Sequence, residues 1–230
     1  MERFNRFFQS TIGRVPSVVL TILVLTIVSM NLLANKELFR AEWVALDCGF
    51  VLSWIPFLIM DCLCKIYGGK TAAVVSIFGI VINLLFFGVF HLIALTPGMW
   101  GEYYTTGLTE VNDALNATIG GSTWIVLGSA LAMAVSSVVN SATNIGIARL
   151  LSWCKVTASF KEFALRSWVS TALSQVVDNF IFALVVSIPL FGWSLMQAFL
   201  CSITAAAFEL ICEMLFSPIA YKIIGRHTPS

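Results

Sequence analysis

The hydrophobic residues of this 230-residue chain fall into long apolar stretches that short polar segments separate. A helix needs about 20 apolar residues to cross the hydrocarbon core of a bilayer, so stretches of this length predict transmembrane helices. The pattern predicts an all-α integral membrane protein, with one compact six-helix bundle as a single domain over residues 1–230. The predicted spans are about 16–35, 43–66, 71–96, 124–150, 166–191 and 195–224.

Composition supports the membrane assignment, because 59% of the residues are hydrophobic and only 11% are charged. A soluble domain has about 45–50% apolar and about 25% charged residues. The lipid bilayer is therefore a predicted partner. The six cysteines lie almost wholly in apolar segments and the chain has only two histidines. A zinc site is not expected, and no cofactor is predicted.

Lysine and arginine positions predict the orientation, since they are enriched in cytoplasmic segments. With the N-terminus inside, only Lys36 and Arg40 of the 13 basic residues lie outside. Both termini are therefore predicted to be cytoplasmic. The segment 97–123, which has no basic residue, is predicted to be a long external loop.

The fifth predicted span carries polar residues at its middle, namely Gln175, Asp178 and Asn179. Gln175 and Asp178 are three residues apart, so they share one helical face. An ionisable residue at membrane depth is costly, and it usually faces the bundle interior or a water-filled cavity. We therefore predict a binding site on this face. The alternative is that Asp178 only makes hydrogen bonds that pack helices together.

Two other spans carry polar pairs four residues apart. Asn140 and Asn144 share a face of the fourth span, where close helix packing is the alternative explanation. Glu209 and Glu213 share a face of the sixth span. These residues are expected to meet those of the fifth span between the midplane and the inner leaflet, where secondary transporters hold their substrates.

Charge balance raises a question about the glutamate pair. Two carboxylates one turn apart in a low dielectric resist being charged together, so one should bind a proton or find a cation. Lys65 and Arg166 are the expected cations. Lys65 also lies four residues after Asp61, so an ion pair between those two at the inner interface is an open alternative.

Four stretches resemble motifs of one family, the queuosine precursor transporters (VUT, or YhhQ-type). The resemblance covers most of the chain from Asn31 to Tyr221, and the motif in the fifth span is the most specific. It rests on the segment from Asn31 to Lys36, on MDCLCKIYGGK (60–70), on RSWVSTALSQVVDNFIF (166–182) and on ELICEMLFSPIAY (209–221).

The resemblance implies a multi-pass protein of the bacterial inner membrane that imports 7-deazaguanine bases for tRNA modification. The bases would be queuine, 7-cyano-7-deazaguanine or 7-aminomethyl-7-deazaguanine. By position, the polar residues of the family's motifs correspond to Asp61, Gln175, Asp178 and Glu213, and its arginine corresponds to Arg166.

Two positions depart from the family pattern. Lys65 stands where a glutamate is expected, and Glu209 stands where a lysine is expected. Opposite changes at two membrane charges suggest a reversed ion pair, so we expect Lys65 and Glu209 to contact each other.

A planar purine-like base fits this set of side chains. Its guanine-like edge offers two N–H donors side by side, and a carboxylate can accept both. The donor and acceptor roles are then the reverse of those in arginine–guanine pairing. We expect Asp178 or Glu209 to bind that edge while Gln175 reads O6. An aromatic ring such as Phe57, Trp168 or Phe182 could stack on the base.

Other functions are alternatives. The chain could be the substrate-binding subunit of a multi-component energised vitamin or nucleobase transporter, for which Ala130–Ala134 or Ala205–Ala207 could form a docking face. An enzyme is not expected, because the sequence has no metal cluster, no Ser–His motif and no nucleotide-binding loop. No nucleic-acid partner is expected. A homodimer, and the choice between proton coupling and facilitated diffusion, are left open.

Overall fold

A computed structural model describes residues 9–41, 43–96, 109–120, 123–153 and 160–225. Most of these residues are helical, and a small two-stranded hairpin follows the first long helix. The helices of ten or more residues are α1 (Ser17–Leu33), α2 (Phe50–Tyr67), α3 (Gly69–Ala94), α4 (Glu110–Ile119), α5 (Thr123–Trp153), α6 (Phe160–Phe182) and α7 (Leu195–Gly225). The strands are β1 (Glu37–Arg40) and β2 (Ala45–Asp47).

Five of these helices, α2, α3, α5, α6 and α7, are long and apolar enough to cross a membrane. A π turn, Ala183–Ser187, continues α6, and the two together form a span of 28 residues. Helix α1 is apolar but has only 17 residues, about 26 Å at 1.5 Å per residue. The chain is therefore a multi-pass membrane protein. A sixth span and cytoplasmic termini stay predictions.

The second predicted span begins too early in the sequence. Residues 37–47 form the antiparallel hairpin, and α2 begins only at Phe50. The carboxylate of Asp47 accepts hydrogen bonds from the backbone N–H of Gly49 at 2.7 Å and of Phe50 at 3.2 Å. These bonds satisfy free donors at the start of the helix and so fix its first residue. Burial raises the pKa of Asp47, and the same two N–H groups oppose that rise.

The predicted external loop also contains a helix. Helix α4 occupies part of the segment 97–123 and packs against α3, while residues 97–108 lie outside the described residues. The amide of Asn35, beyond the end of α1, donates to the backbone oxygen of Thr118 in α4 at 3.4 Å. Helix α4 therefore lies at the same end of the bundle as the hairpin, which we call the hairpin end.

A glycine reverses the chain at the opposite end, which we call the far end. Gly68 has a φ of 85°, which a residue with a side chain rarely adopts, and it separates α2 from α3. Helices α2, α5 and α6 pack together along the bundle axis, and α7 packs against α2 and α6. Apolar side chains such as Leu92 and Leu215 face outward, as expected in lipid.

Small residues lie inside this bundle. Ala130, Ala132, Ala205 and Ala206 are all buried. They therefore allow close approach of the helices within the chain. In the two stretches considered as a docking face for a partner subunit, only Leu131 and Ala207 are exposed.

Candidate functional site

A cavity of about 310 Å³ lies at the hairpin end, between the hairpin and helices α1, α2, α5, α6 and α7. Such a volume is near the lower limit of small-molecule sites, which is roughly 300 Å³. Three rings contribute to its wall, those of Phe50, Phe182 and Trp193. The polar side chains on the wall include Asn31, Asn35, Asp47, Ser53, Asp178, Asn179 and Glu209.

Glu209 lies on this wall although it is only 1% exposed. Its carboxylate accepts hydrogen bonds from the hydroxyl of Ser53 and from the amide of Asn179, the latter at 3.2 Å. Both partners are neutral. The expected ion pair between Lys65 and Glu209 is therefore wrong, since Lys65 bonds to Glu162 at the far end.

Asp178 also lines the cavity, so the fifth span turns its aspartate inward as predicted. One carboxylate oxygen of Asp178 accepts a hydrogen bond of 2.7 Å from the Ser136 hydroxyl on α5. Asn31 on α1 is held similarly, because its side-chain oxygen accepts from Ser129 at 2.7 Å. The Asp178 carboxylate and the Asn31 side-chain oxygen therefore each accept from one donor and keep further acceptor capacity, while the Asn31 amide nitrogen donates to the backbone oxygen of Ile27 at 3.0 Å.

A second polar cluster surrounds Asp61, which is 1% exposed and lies on α2 toward the far end. Its carboxylate accepts from two amides on α5 and from hydroxyl groups on α6. We call this group the Asp61 cluster. The donors are Asn140 (2.9 Å), Asn144 (3.1 Å), Ser167 (2.7 Å), Ser170 (3.2 Å) and Thr171 (3.4 Å).

Charged residues border this cluster. Glu162 lies between two cations, with Lys65 Nζ at 2.8 Å and Arg166 Nη1 at 2.9 Å. Arg166 also donates twice to the side-chain oxygen of Asn144, from Nε at 3.0 Å and Nη2 at 2.6 Å. The alternative of an Asp61–Lys65 ion pair is therefore wrong. Asn144 instead links Arg166 to Asp61.

Glu162 was missed because it precedes the predicted fifth span, which starts at residue 166. Its spacing of four residues from Arg166 is the signal that could have identified the pair.

Glu213 lies in the Asp61 cluster rather than in the cavity. Its carboxyl group is fully buried, and one oxygen contacts the hydroxyl of Ser167. The expected cations do not reach it, because Lys65 and Arg166 bond to Glu162 and Asn144. Glu209 therefore lies on the cavity wall and Glu213 in the Asp61 cluster, although the two are only one helical turn apart.

Gln175 lies between the two regions on α6. It is 0% exposed, and within the described part of the chain neither its side-chain nitrogen nor its oxygen has a hydrogen-bond partner. Most buried polar atoms are paired, so this amide is unusual. Gln175 is not among the residues that line the cavity, but its backbone oxygen accepts from the Asn179 amide of the wall at 2.9 Å.

Of the three rings proposed for stacking, Phe182 lines the cavity, whereas Phe57 and Trp168 are not among its lining residues. The indole N–H of Trp168 donates to Ser217 on α7 at 3.1 Å. Phe50 and Trp193, which the sequence did not single out, are the other rings on the wall.

Residues 47–223 match the family model described as "Putative vitamin uptake transporter". No curated protein and no solved structure matches the chain. The matched segment covers more than half of the chain and includes the three cavity carboxylates as well as the Asp61 cluster. The chain therefore belongs to this family of vitamin uptake transporters.

Proposed function

We propose that this protein imports 7-deazaguanine precursors of queuosine across the bacterial inner membrane for tRNA modification. The observation that carries the proposal is a single small cavity wall that combines three carboxylates, several amides and three aromatic rings. A flat heterocycle with adjacent N–H donors needs this combination. The volume of about 310 Å³ suits one bicyclic base better than a nucleotide.

Glu209 is the best acceptor for the donor edge of the base. Its present partners, Ser53 and Asn179, are neutral, and no lysine or arginine among the described residues pairs with it. An ionised carboxylate can accept two parallel N–H groups, and such charge-assisted bonds are about twice as strong as neutral ones. Asp178 is another carboxylate on the same wall and could take the same edge.

Amides supply the remaining contacts in this proposal. Asn35 and Asn179 lie on the wall and can donate to a carbonyl oxygen such as O6. Gln175 lies next to Asn179, and neither of its side-chain polar atoms has a partner among the described residues. This supports its role in binding O6 when the base moves deeper. Phe50, Phe182 or Trp193 would then stack on the ring.

The distribution of charge supports import. Basic residues concentrate at the far end, where a cytoplasmic face is expected. The cavity would then face the outside of the cell in this conformation. The far-end residues are Arg14, Lys65, Lys70, Arg149, Lys161, Arg166 and Lys222.

The test is exchange of labelled queuine in proteoliposomes that contain this chain alone. Vesicles loaded with unlabelled base should take up external label without any energy source, and 7-cyano-7-deazaguanine should compete whereas biotin should not. Glu209→Gln and Asp178→Asn should each lower exchange at least tenfold, since each replaces a carboxyl group that can accept two N–H donors with an amide that has only one acceptor oxygen. The matched control is Glu110→Gln, because Glu110 is exposed on α4.

Absence of exchange with every deazaguanine, while another vitamin exchanges, would reject the substrate. Exchange that appears only after a second protein is added would favour the substrate-binding subunit of a larger transporter.

A further inference from the structure

A single hydroxyl joins two buried carboxyl groups in the Asp61 cluster. The Ser167 oxygen lies 2.7 Å from one oxygen of Asp61 and also makes a hydrogen-bond contact with one oxygen of Glu213. A serine hydroxyl carries one proton, so it can donate to only one of them. The other contact is a hydrogen bond only if that carboxyl group carries a proton. The pair therefore holds one proton.

The surrounding donors identify which group is protonated. Asp61 accepts from Asn140, Asn144 and the hydroxyls of α6, a set of partners that suits an ionised carboxylate, which can only accept. The second oxygen of Glu213 is buried and has no hydrogen-bond partner among the described residues. The proton therefore lies on Glu213, which donates to Ser167, which in turn donates to Asp61.

Charge balance leads to the same assignment. Lys65 and Arg166 are offset by Glu162 and Asp61, so the group is neutral when Glu213 is protonated. Loss of that proton would leave a buried negative charge without a cation, which is costly. The other titratable groups facing the site are Cys62 and Cys64 of α2, and α5 adds neutral amides.

The proton site and the cavity share two helices. Glu213 lies four residues after Glu209 on α7, which is about 6 Å along the axis. On α6, Ser167 belongs to the proton site and Asn179 belongs to the cavity wall. A movement of either helix that opens the cavity toward the far end would therefore also change the surroundings of Glu213.

We propose that Glu213, Ser167 and Asp61 form a proton-binding site that couples proton movement to transport of the substrate held in the cavity. The coupling rests on the proposed transport function, whereas the proton site rests only on the geometry of this cluster. A proton suits the site better than a sodium ion, because the Ser167 oxygen already bridges the two carboxyl groups at hydrogen-bond distances and amide nitrogens face Asp61.

The transport test imposes a gradient of one pH unit, acidic outside, on proteoliposomes whose membrane potential is clamped with potassium and valinomycin. If one proton accompanies each neutral base, labelled queuine should accumulate up to about tenfold. Glu213→Gln should abolish accumulation above the external concentration, and Glu213→Asp should restore part of it. Exchange without a gradient is measured on the same vesicles.

A second measurement needs no substrate. Infrared spectra of the purified protein should contain a band from a buried carboxylic acid that Glu213→Gln removes and the exposed control Glu110→Gln retains. A spectrum that Glu213→Gln leaves unchanged would overturn the proton site.

The outcomes separate the two proposals. If the native protein exchanges no queuine, the proposed function is rejected, and the infrared band still tests the proton site. Exchange without accumulation in the pH gradient overturns the coupling, as does accumulation that follows a sodium gradient instead.

Discussion

The cavity and the Asp61 cluster both contain buried carboxylates, but they satisfy them differently. Asp178 has one hydrogen-bond donor, Ser136, and Glu209 has two, whereas Asp61 has five. A carboxylate offers about four acceptor positions. Asp61 is therefore saturated by the protein, while Asp178 and Glu209 keep positions for a ligand. Burial alone does not distinguish a binding group from a structural one, but the number of donors does.

The largest expected effect follows from breaking the saturated cluster. Asp61→Ala removes the common acceptor of five donors and leaves Arg166 without a nearby negative charge except Glu162. Removal of one partner from a buried charge network costs about 3–5 kcal/mol. We expect a loss of this size in the free energy of unfolding, measured in detergent. Glu209→Ala is the comparison and should cost less, because its two partners face a cavity. Equal losses of unfolding free energy in the two variants would contradict the distinction between the saturated Asp61 and the cavity carboxylates.

A change at the hairpin end should have an intermediate effect on stability. A Cβ on Gly49 would lie 2.2 Å from the backbone oxygen of Met30 and 2.9 Å from Asp47. Gly49→Ala must therefore push α1 away from α2, at a cost of about 1–3 kcal/mol, and it should weaken queuine binding by distorting the wall. The matched control is Gly88→Ala on α3, where a Cβ meets nothing within 4 Å. That control should raise the free energy of unfolding by about 0.5–1 kcal/mol, which thermal unfolding measures. A stable Gly49→Ala variant with normal binding would contradict the described contact.

The smallest effect is expected at the edge of the Asp61 cluster. The side chain of Lys65 is 22% exposed, and Glu162 keeps Arg166 when Lys65 is lost. Lys65→Gln should therefore cost only about 0.2–1 kcal/mol, with a smaller loss at high salt. Chemical unfolding at two salt concentrations measures this difference.

The same residue tests the ion pair that the sequence suggested. The double reversal of Lys65→Glu with Glu209→Lys should not restore exchange, because these two residues bond to different partners. Recovery of exchange in the double variant would show that they meet.

The sequence by itself determined the membrane class and the presence of interior polar sites. Lipid offers no hydrogen bonds, so residues such as Asp178 and Asn140 in apolar stretches had to face other helices. The start of α2 was not predictable from hydropathy. The run of apolar residues continues back through Val44. The helix nevertheless begins only at Phe50, because Asp47 caps it there and Gly49 lies against the backbone of Met30.

Tertiary structure alone decided which charges meet. The spacing of four residues along α6 could have identified the pair of Glu162 and Arg166, but spacing cannot give the depth and rotation of one helix against another. Those quantities placed Lys65 beside Glu162 instead of Glu209, and they placed Glu213 against Ser167 and Asp61. Contacts between helices depend on packing over the whole bundle, so a local pattern could supply the candidates but not their partners.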